Sequence, residues 1–483
     1  MNSIAYRLQY VSTRRPVGIP AALSLAILLA GCAAVPDGPH PRERLNEAVA
    51  VALGAPIAEA IDAPDTAHRE ARIAELLASP LDRDAALELA ALADHEIAAL
   101  VIELDGQRAM TESAGLPANP SFRLMAMRME AGRVPGVTML DYGLMQDLVS
   151  LLDRDRRLAE AEAEERVRTF MSATRVLERL WSVESAHGLA VAARERTRLW
   201  RQRAEQAELA GRLAHDLVAR GVLRQIDALP RWADSADRMQ RAQQAEDQAL
   251  ALTAALAEAL GLASAQGIRL PDALPAPTPD TRDAAGLRAA AVGLRLDLLA
   301  AQSAADRDRQ ALALIERWRL LPRLGLGLAG EREADGVGAL GAELAVTVPI
   351  FDTGRQRLDA ARARVQASDA RIEAHRRRVQ AAVDRAWSEW RIHDRRLAEL
   401  QTRVRPELAT RLALVEHGYR DGLFDRFTVI DAIDALLALD LDILDASQAR
   451  LLARIELARQ VGSASAGSAI APDDAAPTEA RSP

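Results

Sequence analysis

Hydrophobic and polar positions along the 483-residue chain follow two alternating periods. Between residues 323 and 330, Leu324, Leu326 and Leu328 are separated by Gly325, Gly327 and Ala329. Between 338 and 348, Leu340, Ala342, Leu344, Val346 and Val348 are separated by Gly341, Glu343, Ala345 and Thr347. A period of two, apolar on one face and small or polar on the other, marks a transmembrane barrel strand. The polar stretch 331–337 reads as the turn between them. An earlier pair, 122–131 and 137–147, is joined through Gly132, Pro135 and Gly136 and alternates less regularly.

After the second pair the period lengthens to seven. Leu358, Val365, Ile372 and Val379 recur every seventh residue; after a four-residue step, Val383, Trp390, Leu397 and Val404 do so again. Sustained sevens predict a coiled-coil-like seam, and the four-residue step relaxes its supercoil. From Arg355 no breaker appears until Pro406, which predicts a kink in a helix expected over 355–421. A helix of that length spans roughly 100 Å, and residues 151–220 predict another. Shorter helices are expected over 84–114 and 284–318, one before each hairpin.

The landmarks repeat. Pro120 and Pro322 lie 202 positions apart, Arg157 and Arg357 200, Gly221 and Gly422 201, and Gly261 and Gly462 201. Ordered landmarks at nearly one offset imply two copies of one unit. The expected organisation is a leader at 1–31, an N-terminal strap at 32–83, repeat 1 at 84–262, a linker at 263–283, repeat 2 at 284–462 and a disordered tail at 463–483. In repeat 1 the hairpin is expected at 121–147 and the long helix pair at 151–262. In repeat 2 they are expected at 323–348 and 355–462.

Composition narrows the class. Aromatics make up 3% of the chain and the net charge is −8. Few aromatics suit long helices packed side by side rather than a compact core, and the acidic balance argues against nucleic-acid binding. The chain holds no lysine, so all of its 61 basic residues are arginines. The leader has Arg7, Arg14 and Arg15 before an apolar run at 17–30, shorter than the ~20 residues a spanning helix needs. It ends in Leu29-Ala30-Gly31-Cys32, which resembles a bacterial lipobox with Cys32 as the lipidation site. Cys32 is the single cysteine, so no intrachain disulfide can form. No later segment has the length of a spanning helix, so a membrane crossing requires strands.

Specific residues resemble one family. Ala114 to Pro120 reads AGLPANP, like the "GL-P-NP" step into the first barrel strand of TolC-type outer-membrane efflux proteins. Arg295-Leu296-Asp297-Leu298, with Ala300 and Ala301, resembles the "RPDL-A" helix start, Leu296 replacing Pro. Val348 to Arg355, VPIFDTGR, is similar to the "PLFDGGR" passage from strand to helix. Gly418 to Gly422 with Val429 to Ala432 resembles the "Y-x-x-G … L-L-D-A" turn. In the first copy, Leu148 to Leu151 departs from the matching motif.

The resemblance implies a mainly α chain with a small transmembrane β part. Four strands per chain cannot close a barrel, and open edges are not tolerated in lipid, so an oligomer is required. The resemblance makes it a homotrimer: a shared 12-stranded β-barrel with an α-helical barrel. It implies a passive efflux or export conduit in the cell outer membrane, lipid-anchored and extending into the periplasm. Its partners would be a periplasmic adaptor protein and an inner-membrane pump; no cofactor, metal or catalytic residue is implied. The competing reading is a lipid-anchored periplasmic coiled-coil scaffold or adaptor, which would need β-rich domains beyond two hairpins.

Within that picture, Asp431 and Asp434 lie three apart on one helix face and are expected at the pore constriction, as an anionic ring. The plainer account is two acids near a helix N-terminus. Asp227 is a weaker candidate. Gly221-Val222-Leu223 and Gly422-Leu423-Phe424 are expected at hairpin tips that contact the adaptor, or else simply end helices. Gly325, Gly327 and Gly330 fit G-x-G-x-x-G, but strand alternation there excludes a nucleotide loop. Met125, Met127, Met129, Met139 and Met145 are five of the nine methionines. They are read as an apolar barrel face rather than a soft-metal path.

Overall fold

The computed structural model describes residues 38–54, 60, 66–131, 134–276, 283–332 and 337–463. The leader, Cys32 and the tail from 464 lie outside them. The described chain is mainly helical with one four-stranded sheet, in two compact units. One contains residues 112–158 and 323–347, the other 38–111, 159–322 and residues from 348 onward.

In the sheet unit, β1 (Ser121–Ala131), β2 (Val134–Asp147), β3 (Leu324–Arg332) and β4 (Gly338–Val346) pair antiparallel in that order. β2 and β3 come from different repeats, and their ladder runs from Leu140↔Arg332 to Asp147↔Gly325. The first hairpin is longer than its alternation predicts, because β2 starts at Val134 and β1 carries a register shift between Met129 and Ala131. β4 ends at Val346 rather than 348: Pro349 offers no N–H to a ladder, and the Ile350 N–H donates to Val348 O. Where the first hairpin departs from the family motif, Asp147 caps a short helix, α5 (Leu148–Leu152), accepting from Val149 N at 2.9 Å. Arg157 then donates to Ser150 O and Leu116 O, tying the exit of the hairpin to its entry.

The helical unit begins with α1 (Pro41–Leu53) and α2 (Thr66–Leu77). In repeat 1 follow α3 (Arg83–Ala93), α4 (His95–Ala114), α6 (Arg154–Ala219) and α7 (Gln225–Ala259). In repeat 2 they are α8 (Ala284–Leu294), α9 (Leu296–Trp318), α10 (Arg355–Glu399), α11 (Arg405–Arg420) and α12 (Arg426–Val461). The 66 residues of α6 are roughly 100 Å of helix. The expected first long helix starts late, since α5 ends at Asp153 before α6 begins. Where the kink is expected before Pro406, residues Leu400–Val404 widen to a π-helix in which Arg405 N–H reaches Leu400 O. Proline cannot donate to the fourth carbonyl back and crowds it, and the widened turn accommodates both. The seam residues Leu358, Val379, Val383, Trp390 and Leu397 are buried.

The single helices expected over 84–114 and 284–318 are each broken, at Asp94 and at Arg295. These breaks lie 201 apart, the offset of the repeats. Each is filled by the glycine that ends the last helix of its own repeat. A Cβ on Gly261 would sit 2.8 Å from Asp94 Cα, and one on Gly462 would sit 3.0 Å from Leu294 O. Both glycines have positive φ, 76° and 86°. Bare backbone is therefore required twice over, by conformation and by contact. Asp94 binds Arg179 at 2.7 Å and caps α4 through Glu96 N; Arg295 binds Asp297 and donates to Arg459 O and Gln460 O at the end of α12.

The main core joins Leu45, Val49 and Leu53 of α1 to Leu87, Ile97, Leu104, Leu177, Leu180 and Leu256. A second gathers Leu287 and Ala291 with Val379, Val383, Trp390 and Leu457. A third, Ala192 and Leu199 with Leu441 and Leu444, joins α6 to α12 and so one repeat to the other. Each fully buried leucine contributes about 1.5–3 kcal/mol.

Candidate functional site

Two places in the fold can act on something passing by: the faces of the sheet and a polar cluster near the start of α12. On the sheet, directly paired residues share a face. Phe122↔Leu144↔Leu328↔Ala342 and Leu124↔Tyr142↔Gly330↔Leu340 are rungs of one face. It holds all eight leucines of the four strands, and most are well exposed in the single chain, Leu340 and Leu344 at 65% and 64%. The opposite face carries Arg123, Asp141, Glu343 and small residues. Arg123 reaches Glu343 at 3.5 Å, over Gly143, two strands away from its own partner. Gly325, Gly327 and Gly330 lie on β3, as the alternation predicted.

The methionines do not belong to the leucine face. Met125↔Asp141 and Met127↔Met139 are adjacent rungs of the polar face, and Met145 shares it. The expectation of an apolar barrel face is thus corrected: the period of two separates leucine from methionine. The side chain of Met129 lies outside the described set.

Near the start of α12, Asp431 and Asp434 are already paired within the chain. Arg231 of α7 grips Asp431 at 2.5 and 2.9 Å. Arg203 of α6 grips Asp434 at 2.8 and 2.9 Å, and Arg238 of α7 reaches the same carboxylate at 2.8 Å while also binding Asp234. Burial pushes the Asp434 carboxyl up, but Arg203 and Arg238 outweigh it and hold it below the usual range. Arg203 also stacks over Trp200 and Arg231 over Phe427, each 4.9 Å from the ring centre. Helices of both repeats thus meet at this cluster around a cleft of 290 Å³. Arg203, Arg231 and Arg238 carry no sequence signal: in a chain whose every cation is arginine, nothing marks these three. Asp227 instead pairs locally with Arg224 at 2.7 Å on an exposed turn.

The tips turn at Gly221 (φ 71°) and Gly422 (φ 75°). Val222 and Leu423 are 72% and 74% exposed, whereas the ring of Phe424 folds back onto Gly418. One tip residue therefore closes a local contact, and two stand in the open. Leu223 is half-buried. No described helix is long and apolar enough to cross a membrane. Among the described residues no group of three His, Cys, Asp or Glu side chains is placed to hold a metal.

Residues 288–463 match the outer membrane efflux protein family. The match covers most of the second repeat and none of the first. No curated protein matches the chain. Among solved structures, the chain is similar to CusC, described as forming a transmembrane channel, at 15% identity and TM-score 0.64 over 80% of this chain and 92% of that one. It is similar to the outer-membrane channel OprN at 18% identity and TM-score 0.62, over 84% and 91%. It is also similar to the outer membrane protein VceC of Vibrio cholerae at 15% identity and TM-score 0.60, over 82% and 96%. At such identities the likeness is one of fold, and it spans both repeats: the chain folds as outer-membrane efflux channels do.

Proposed function

We propose that three copies of this chain close a passive outer-membrane efflux conduit. The observation that carries this reading is the sheet: four strands, an exposed leucine face, and edges at β1 and β4 that no other described strand covers. In lipid such edges must be paired, and pairing β4 of one copy to β1 of the next gives twelve strands. The leucine face then meets lipid, and the face of Arg123, Asp141 and Glu343 lines water. The long α6 and α10–α11 rods extend the duct into the periplasm. Cys32 carries the lipid anchor.

The conduit does no chemistry of its own; an inner-membrane pump supplies the energy through a periplasmic adaptor. Val222 and Leu423, exposed at the tips, are the adaptor contacts, with Gly221 and Gly422 setting the turn and Leu223 and Phe424 bracing it. The aspartate–arginine cluster acts as the constriction. Asp431 and Asp434 hold α12 against α6 and α7, so opening would break arginine pairs rather than merely repel like charges. Outer-membrane fractionation with heat-modifiable gel mobility tests the assembly, which should run as a trimer until boiled; a chain that stays monomeric and leaves with the soluble fraction would overturn it. For the constriction, Asp431→Ala with Asp434→Ala should raise single-channel conductance, and unchanged conductance would remove these residues from the gate.

A further inference from the structure

We infer that the polar face of the sheet carries a thioether site for a soft univalent metal cation, of the Cu(I) or Ag(I) kind. The sheet sorts its side chains by type: all eight leucines of its strands fall on one face, and Met125, Met127, Met139 and Met145 fall on the other. If methionine served only as apolar filler, it would share the leucine face. It stands instead beside Arg123, Glu343, Gly325 and Gly327, on the face read as the lumen.

The positions form a compact patch. Met127 faces Met139 directly, and on the next rung Met125 faces Asp141. Directly opposed residues have Cβ atoms about 4.5–5.5 Å apart, and side chains two apart on one strand share a face. Three long, flexible thioethers and one carboxylate thus occupy adjacent positions of one face on two strands. Met125 and Met127 are 47% and 46% exposed in the single chain. Soft thioether ligands select univalent copper over hard cations. Asp141 supplies one negative charge against the cation's one positive. Neutral thioethers, unlike thiolates, bind without being deprotonated first, so the site suits a cation in transit: tight enough to enter and weak enough to leave.

This deepens the conduit reading by naming a cargo class, and it rests on that reading for calling this face the lumen. The detergent-purified full-length protein is incubated with Ag(I), freed of unbound metal and studied by silver X-ray absorption. Sulfur neighbours around silver are expected. In a Met125→Leu/Met127→Leu/Met139→Leu variant, which keeps apolar volume but removes every sulfur of the patch, silver affinity should fall about tenfold or more. Cys32, Met145 and the histidines are common to both proteins and cancel in the comparison. Silver with only nitrogen or oxygen neighbours, or equal affinity in the two proteins, would overturn the site. Should the triple variant fail to assemble, Met127→Leu alone is read the same way. Trimers without sulfur-bound silver would end the metal site and spare the conduit; sulfur-bound silver on a chain that never trimerises would do the reverse.

Discussion

In repeat 2 the first helix breaks at Arg295, which is held by Asp297 two residues on; in repeat 1 it breaks at Asp94, which is held by Arg179 from α6. The charge at the break is reversed, yet the backbone is the same, and in both a glycine from the last helix fills the notch. The position after next shows the same divergence. Asp297 is largely covered and bound by Arg295 and His375, whereas its counterpart Glu96 is 73% exposed. The hairpin exits differ too, a capped helix in repeat 1 and a turn through Gly354 in repeat 2. Backbone geometry and close approach have thus outlasted the side-chain chemistry around them. The family match begins at residue 288, while the fold likeness runs through both repeats.

The comparison breaks first at its glycines. Gly261→Ala and Gly462→Ala each force a side chain into left-handed backbone and against neighbouring backbone atoms, and each should cost about 3 kcal/mol. A large, equal fall in the helix melting temperature by circular dichroism is expected; if one is tolerated, the two notches are not equivalent. Next comes the charge at the break. Burial pushes the Asp297 carboxyl up, but Arg295 and then His375 outweigh it and hold it at about 2. A depressed folded value stabilises the fold above the unfolded value near 3.9 and is lost as pH falls from about 4 toward 2, a change of about 2 kcal/mol. Acid unfolding of Asp297→Asn should lack that loss.

A third test contrasts the two aspartates of the cluster. Asp434→Asn leaves Arg203 and Arg238, only 11% and 16% exposed, without their shared carboxylate, and should destabilise by about 2 kcal/mol. Asp431 is 54% exposed, and Asp431→Asn should cost about 0.5 kcal/mol. Equal losses in urea unfolding would deny that the cluster is centred on Asp434. The smallest effect belongs to the tips. Gly221→Ala and Gly422→Ala meet nothing within 4 Å, so only the positive φ is penalised, at about 1 kcal/mol each. A loss there as large as at Gly261 would mean the tips are packed.

The strands were legible because a period of two survives in sequence wherever opposite faces meet different surroundings, as Leu324 to Gly330 does. The long helices were legible from the sevens of α10. The breaks at Asp94 and Arg295 were not, since neither residue is a breaker; each bends because a glycine some 167 positions later lies against it. The gripping arginines were equally silent. Arg203, Arg231 and Arg238 look like any other arginine of this chain, and their roles depend on α6, α7 and α12 meeting.

The chain by itself determined local period, turn and repeat, because these follow from how neighbouring side chains alternate between surroundings and from which residues tolerate a bend. Tertiary structure alone decided which charge meets which and where a helix yields to a distant backbone. Those outcomes depend on distances between segments remote in sequence, and no local pattern encodes them.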